Sequence, residues 1–232
     1  MTENSSAHRK SVRNDRIENA LAVLKSYKDN PRDRRYRIRA DDPEGGESFY
    51  LECVSGTDEE VTLLTEWRER YQDAFPTQFT VTREGTERWV KKALMDIPGR
   101  ILFMVRRLPT GEAVGHLGLA NVGEEKFGFK NSCEIDNVIR GRFVAPKAME
   151  LGLLSLCRFC IDTLEMTTIY LRVFADNGRA VRFYQKWHFR EERKIPLKRR
   201  EEAGKIVFEE IDDKSPAKPD RYFSLMKWEG HL

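Results

Sequence analysis

The stretch from Asp176 to Phe189, DNGRAVRFYQKWHF, decides how this chain is read. Asp176 or Asn177 can cap a helix here, because a short side-chain oxygen accepts from the free N–H groups of a first turn. Ala180, Val181, Tyr184 and Trp187 then fall along one side at helical spacing, with Arg179, Arg182, Gln185 and Lys186 along the other. The helix is amphipathic, and Tyr184 lies in its apolar stripe. Spacing alone favours a packed tyrosine over one whose hydroxyl takes part in chemistry.

The sequence around this helix supplies a frame. TTIYLRVF (167–174), just before it, reads as a strand. A helix spans Pro146 to about Leu164, apolar on nearly every side, so it lies against a sheet. RILFMVRR and AVGHLGLANV form a hairpin across the turn at 108–112, and CEIDNVIRG follows as a third strand. Further upstream, residues 1–11 read as disordered and 14–28 as a helix. YRIRA and FYLECV read as strands, and 58–75 and 82–97 as helices, the second stopped by Pro98-Gly99. Downstream, 188–200 and 205–211 make a hairpin, 212–220 a loop and 221–228 the last strand.

Length and charge set the bounds. The 232 residues suit a basic extension with one helix over 1–34 and a single domain over 35–232. The net charge of +3 conceals an asymmetry, since residues 1–40 hold eleven Lys/Arg against five Asp/Glu. A basic arm can meet nucleic acid. This one has only Tyr27 and Tyr36 to stack on bases, which favours a solvated extension. Its stripe of Ile17, Leu21 and Leu24 would pack on the domain or on a second copy of the chain, which leaves a homodimer open. No run approaches the roughly eighteen apolar residues of a membrane span. The N-terminus has no apolar segment of the secretory kind, so the expected place is the cytoplasm. Cys157 and Cys160 have CxxC spacing but no second CxxC or HxxxH, so buried free thiols are expected and no metal.

With strand, two helices, three strands, long helix, strand and short helix in that order, the opening stretch resembles the C-terminal signature of the GNAT-superfamily acetyltransferases. That signature runs N-x-x-A-x-x-x-Y-x-K-x-G-F, matched by Asn177, Ala180, Tyr184, Lys186 and Phe189. VGHLGLANV is similar to that family's third strand, especially in its ribosomal-protein-acetylating and amino-sugar-acetylating branches. The resemblance covers about residues 50–192. It implies an α+β fold with a mixed, mostly antiparallel sheet flanked by helices, splayed between the strands near 133–140 and 168–174. Two positions depart from the family's pattern. The coenzyme pyrophosphate loop, usually R/Q-x-x-G-x-G/A, reads Arg140-Gly141-Arg142-Phe143-Val144-Ala145-Pro146-Lys147, and His188 stands where the family has glycine.

The implied chemistry is acetyl transfer from acetyl-CoA, as co-substrate, to a primary amine of a small molecule, with a nucleotide-linked amino sugar as one candidate. An amine is nucleophilic only when neutral, so a base must take its proton. Glu134 and Asp136 stand two apart on one strand and so share a face. His116 on the neighbouring strand is a second base candidate. The resemblance places backbone groups of Val138, Ile139 and Arg140 along the pantetheine arm, one N–H at the acyl oxygen. Arg140, Arg142 and Lys147 would meet the phosphates at a helix start. Asn177 would sit beside the arm or cap its helix, and Tyr184 would aim its hydroxyl at the sulfur. Two other readings stay open: a non-catalytic acyl-CoA-binding or regulatory module, and a nucleic-acid-binding protein using the basic arm.

Overall fold

The computed structural model describes the backbone of residues 2–212 and 215–230, and side chains from residue 14 on within those ranges. In chain order the elements are α1 (Thr2–Asp29), β1 (Ile38–Ala40), β2 (Phe49–Cys53), α2 (Asp58–Arg70), β3 (Thr77–Gln78), α3 (Arg83–Trp89), β4 (Ile101–Arg107) and β5 (Ala113–Ala120). There follow β6 (Ser132–Arg140), α4 (Ala148–Asp162), β7 (Thr168–Phe174), α5 (Gly178–Lys186), β8 (Phe189–Glu202), β9 (Lys205–Glu210) and β10 (Arg221–Trp228). The class is α+β with mostly antiparallel strands and flanking helices, as expected. The chain gathers into two compact units, residues 1–56 with 90–169, and residues 57–89 with 170–232.

In the first unit the strand order is β1-β2-β4-β5-β6, antiparallel throughout. The helix α4 covers this sheet with Leu153, Leu156, Cys157 and Cys160 fully buried. Its Gly152 comes so close that an added Cβ would stand 3.3 Å from Leu117. The helix begins at Ala148, two residues later than expected, because a tight turn from Ala145 C=O to Ala148 N–H takes up Pro146 first.

The expectation of disorder at the N-terminus is corrected: α1 begins at Thr2, with Met1 outside the described residues. Nothing between positions 2 and 29 is glycine or proline, so a helix once nucleated has no reason to stop. Its C-terminal half is part of the core. Ala20 and Leu24 are buried, and the Tyr27 ring lies edge-on to Tyr36, Phe103 and Phe159 with centroids 5.3, 6.0 and 5.1 Å away. Gly123, at φ +81°, receives Ile17 where a Cβ would clash at 2.5 Å. Lys28 is buried, and its Nζ donates to the carbonyls of Leu94 at 2.8 Å and Ile97 at 2.6 Å. It thereby closes a π-helical turn, Val90–Met95, whose carbonyls would otherwise face the interior. Burial lowers the Lys28 pKa from its ordinary value.

Several cations of the basic stretch are engaged locally. Arg35 pairs with Asp33, Arg39 with Asp41 and Lys25 with Asp29. Arg32, Arg37 and Arg106 converge on one carboxylate, Glu52, at 2.6, 2.7 and 2.8 Å, and that side chain is 2% exposed. Asp41 and Glu52, from beyond residue 40, thus offset part of the charge asymmetry in the sequence.

Cys53, Cys133, Cys157 and Cys160 are all buried free thiols, as expected. Burial pushes the thiols of Cys157 and Cys160 well above the ordinary range. Since the thiolate is the reactive form, the native protein should give no colour with Ellman's reagent. All four thiols should react once denaturant is added. A thiol titrating rapidly in the native protein would contradict this packing.

In the second unit the order is β7-β10-β8-β9-β3, again antiparallel. The two-residue β3 pairs Thr77 with Val207 and Gln78 with Ile206, an element too short for any periodicity to announce. A capping box starts α2: Glu60 N–H donates to Thr57 Oγ1, and Thr57 N–H to the Glu60 carboxylate. The Arg221 guanidinium lies 3.4 Å above the Phe174 ring and forks onto Asp176. The loop expected at 212–220 includes residues 213 and 214, which lie outside the described residues. Among the described residues, no helix is long and apolar enough to cross a membrane.

Candidate active site

The strand β6 is interrupted at its centre. His116 faces Ile139 and Gly118 faces Asp136, so two residues of β6, Asn137 and Val138, stand opposite Leu117 alone. This is a β-bulge, and Asn137 within it takes a left-handed φ of +52°. Asparagine tolerates that region better than most residues. The carbonyl freed by the bulge is caught from β5: His116 Nδ1 lies 2.7 Å from Asn137 O. A carbonyl only accepts, so Nδ1 carries the proton. The imidazole is 4% exposed. His116, a base candidate from the sequence, thus commits one ring nitrogen to the backbone.

On the N-terminal side of the bulge stand Glu134 and Asp136. Glu134 is buried and accepts from Asn121 Nδ2 at 2.6 Å. Asp136 is half-buried and accepts from Arg100 Nη2 at 2.7 Å and from Asn137 Nδ2 at 2.6 Å. The two carboxylates are held by groups from three different segments. None of Arg100, Asn121 and Asn137 was singled out by sequence reasoning. The signal for Asn137 was present as a turn-forming asparagine inside a strand pattern. Nothing local marks Arg100 or Asn121.

On the C-terminal side, Val138, Ile139 and Arg140 complete β6 and lead into the loop before α4. Arg140 donates to Pro146 O at 3.1 Å, bracing the loop. The N–H groups of Gly141 and Arg142 both donate to Val114 O, which folds the loop onto β5. The loop's cations are already paired. Arg142 donates to Glu112 at 2.6 Å. Lys147 meets Glu44 at 2.6 Å and Asp42 at 3.0 Å. Those contacts, Glu44 first, raise the Lys147 pKa above its ordinary value, and the same bond lowers that of Asp42. Phe143 and Val144 at the loop's tip are exposed.

Asn177 and Tyr184 come together on α5. Asn177 is the cap: its Oδ1 accepts from Ala180 N at 3.2 Å. Asp176, the other capping candidate, is taken by Arg221. Tyr184 is 8% exposed, its ring edge-on to Phe183 at 5.3 Å and Phe189 at 5.8 Å. His188 adopts φ +67° after α5. Histidine there takes the angle that the family's glycine takes without strain, at a cost of about 1 kcal/mol.

In the first unit the structure therefore gathers Glu134, Asp136, Val138, Ile139, Arg140, Arg142 and Lys147 along one strand and the loop that leaves it. In the second it sets Asn177 and Tyr184 on one short helix. The model of the Acetyltransferase (GNAT) family matches residues 64–189. A search of curated protein sequences found no match. The fold is similar to that of spermidine N-acetyltransferase from Vibrio cholerae, solved in complex with CoA and spermine, at 15% identity. That match has a TM-score of 0.57 and covers 77% of this chain and 94% of the other. It is also similar to a GCN5-related N-acetyltransferase from Brucella melitensis, at 17% identity and TM-score 0.55, covering 77% and 74%. A GNAT-family protein from Chromobacterium violaceum matches at 14% identity and TM-score 0.57, covering 82% and 84%.

Proposed function

The chain belongs to the GNAT family of acetyltransferases, and from that membership we propose that it moves an acetyl group from acetyl-CoA to the primary amine of a small molecule in the cytoplasm. The observation that carries this reading is the bulge in β6, where backbone turned out of the ladder adjoins two carboxylates. Four buried cysteines outside any disulfide accord with a reducing compartment.

Acetyl-CoA supplies an activated acyl group and a thiolate leaving group. Glu134 and Asp136 take the proton of the incoming ammonium, directly or through water. Backbone groups of Val138, Ile139 and Arg140 lie along the pantetheine arm, and one of their N–H groups meets the negative charge that develops on the acyl oxygen. Arg140, Arg142 and Lys147, with the first turn of α4, hold the phosphates. Asn177 fixes the start of α5. The Tyr184 hydroxyl gives a proton to the departing sulfur. For the acceptor, a nucleotide-linked amino sugar is one candidate. A polyamine is another, prompted by the Vibrio cholerae neighbour.

The paired state of Arg142 and Lys147 favours one alternative, an acyl-CoA-binding module that does not turn over. Release of free CoA thiol separates the two. Acetyl-CoA is offered with a panel of spermidine, spermine and nucleotide-linked amino sugars, and binding is followed by calorimetry. Thiol release with any amine supports the enzyme. Binding without release selects the module, and absence of binding ends both.

The loop makes its own prediction. Arg142→Glu puts a negative charge where phosphate would sit and should weaken acetyl-CoA binding several-fold. Asp42→Asn with Glu44→Gln releases Lys147 and should tighten it, because the anion no longer competes with two carboxylates. Unchanged dissociation constants in both would remove the loop from the site.

A further inference from the structure

We infer that His116 is a positioning residue: it sets the orientation of the Asn137–Val138 peptide, and so the aim of the Val138 N–H at the acyl group. The inference rests on the functional reading above and goes beyond it, since it assigns an atom-level task to a buried residue on a neighbouring strand.

The argument starts from peptide geometry. The Asn137 C=O and the Val138 N–H belong to one planar unit and point in opposite directions. Whatever holds the carbonyl therefore aims the N–H. In a regular ladder the neighbouring strand holds it. Here the bulge has lifted Asn137 out of register, and its φ of +52° lies in the sparsely populated left-handed region, which its surroundings must hold. The holder is the His116 imidazole, at 2.7 Å. The ring is buried and has little freedom to swing. The Asn137 side chain is tied as well, through Nδ2 to Asp136 at 2.6 Å, and Asp136 is tied to Arg100. Both sides of the strained residue are thus clamped. The peptide between them behaves as a preset donor rather than a mobile one. A donor fixed before the reaction stabilises developing charge without having to reorganise.

His116 needs its Nδ1 proton for this and nothing else in the proposal. Asparagine can place an amide N–H close to where Nδ1 stood. Glutamine carries its amide one carbon further and overshoots. Leucine keeps bulk and loses the donor. His116→Leu should lower kcat by about tenfold or more, because misaiming one donor by a fraction of an ångström is costly. KM for acetyl-CoA should change by less than about threefold, since the donor acts mainly in the transition state. His116→Asn should recover most of the lost kcat and His116→Gln should not.

The experiment measures kcat and KM for acetyl-CoA with the most active amine of the panel. The ¹⁵N–¹H resonance of Val138 is followed alongside, with and without acetyl-CoA. In the unaltered protein that resonance should shift on binding, and in His116→Gln the shift should shrink. Loss of kcat in His116→Leu, recovery in Asn and no recovery in Gln support the assignment. The assignment is overturned if His116→Gln keeps kcat within twofold of the unaltered protein, or matches His116→Asn. A Val138 amide indifferent to acetyl-CoA also overturns it. If the unaltered protein neither binds acetyl-CoA nor releases CoA thiol, the functional reading itself fails, a result distinct from any of these.

Discussion

Replacing Tyr184 by phenylalanine should cost about 10²-fold in turnover and almost nothing in melting temperature. The ring is what packs: its edge contacts with Phe183 and Phe189 survive the change, so the fold should not notice it beyond about 1 kcal/mol for one lost hydrogen bond. General acid catalysis contributes on the order of 10²–10⁴-fold, and a thiolate, already a fair leaving group, belongs at the low end. Acetyl-CoA affinity should stay within about twofold, because the hydroxyl acts in the transition state. Turnover and melting temperature measured on one preparation decide the matter. If turnover stays near that of the unaltered protein, the hydroxyl has no large catalytic role and Tyr184 is a core aromatic.

The largest effect on stability should come from Glu52. Its carboxylate is 2% exposed and receives three guanidinium groups. Arg32 and Arg37 are partly exposed and can turn to water when the acid is removed. Arg106, 6% exposed, cannot. Removing one partner of a buried pair leaves an uncompensated charge and costs about 3–5 kcal/mol. Glu52→Ala should therefore lower the melting temperature by roughly 10 °C for a chain of this size. Adding Arg106→Met should restore part of that loss, since the stranded charge goes with it. If the double variant is no more stable than the single one, the cost lies in the cavity and not in the charge.

Sequence reasoning reached the helices and strands where the signal is local. The α5 helix was legible because Asn177 offers a cap and four apolar residues fall on one side. The apolar runs of β4 and β7 carry similar local marks. Three features escaped it for physical reasons. The start of α1 was missed because polar residues with no breaker among them look the same in a helix as in coil. The β6 bulge was missed although alternation breaks at Asn137 and Val138, because one such break does not by itself say that register slips. The pairing of Lys147 with Asp42 and Glu44 joins positions about a hundred residues apart, and no periodicity reports a contact of that kind. The same holds for Arg100 and Asn121 at the two carboxylates: the residues of interest were visible, and the neighbours that hold them were not.

The burial of α1 has a consequence for how the protein is made. Tyr27 and Lys28 leave the ribosome well before their partners at Leu94, Ile97, Phe103 and Phe159. At a synthesis rate of about 5–20 residues per second, the wait for Phe159 is on the order of ten seconds. Through that interval Ile17, Leu21 and Leu24 have no sheet to lie on, and the helix is a sticky segment on an unfinished chain. Ribosome-stalled chains ending before residue 100 should be cut readily by protease within α1, while chains long enough for α4 to have emerged resist. Unit 1 would then close from its far end, with the earliest-made helix seated only after α4 has emerged.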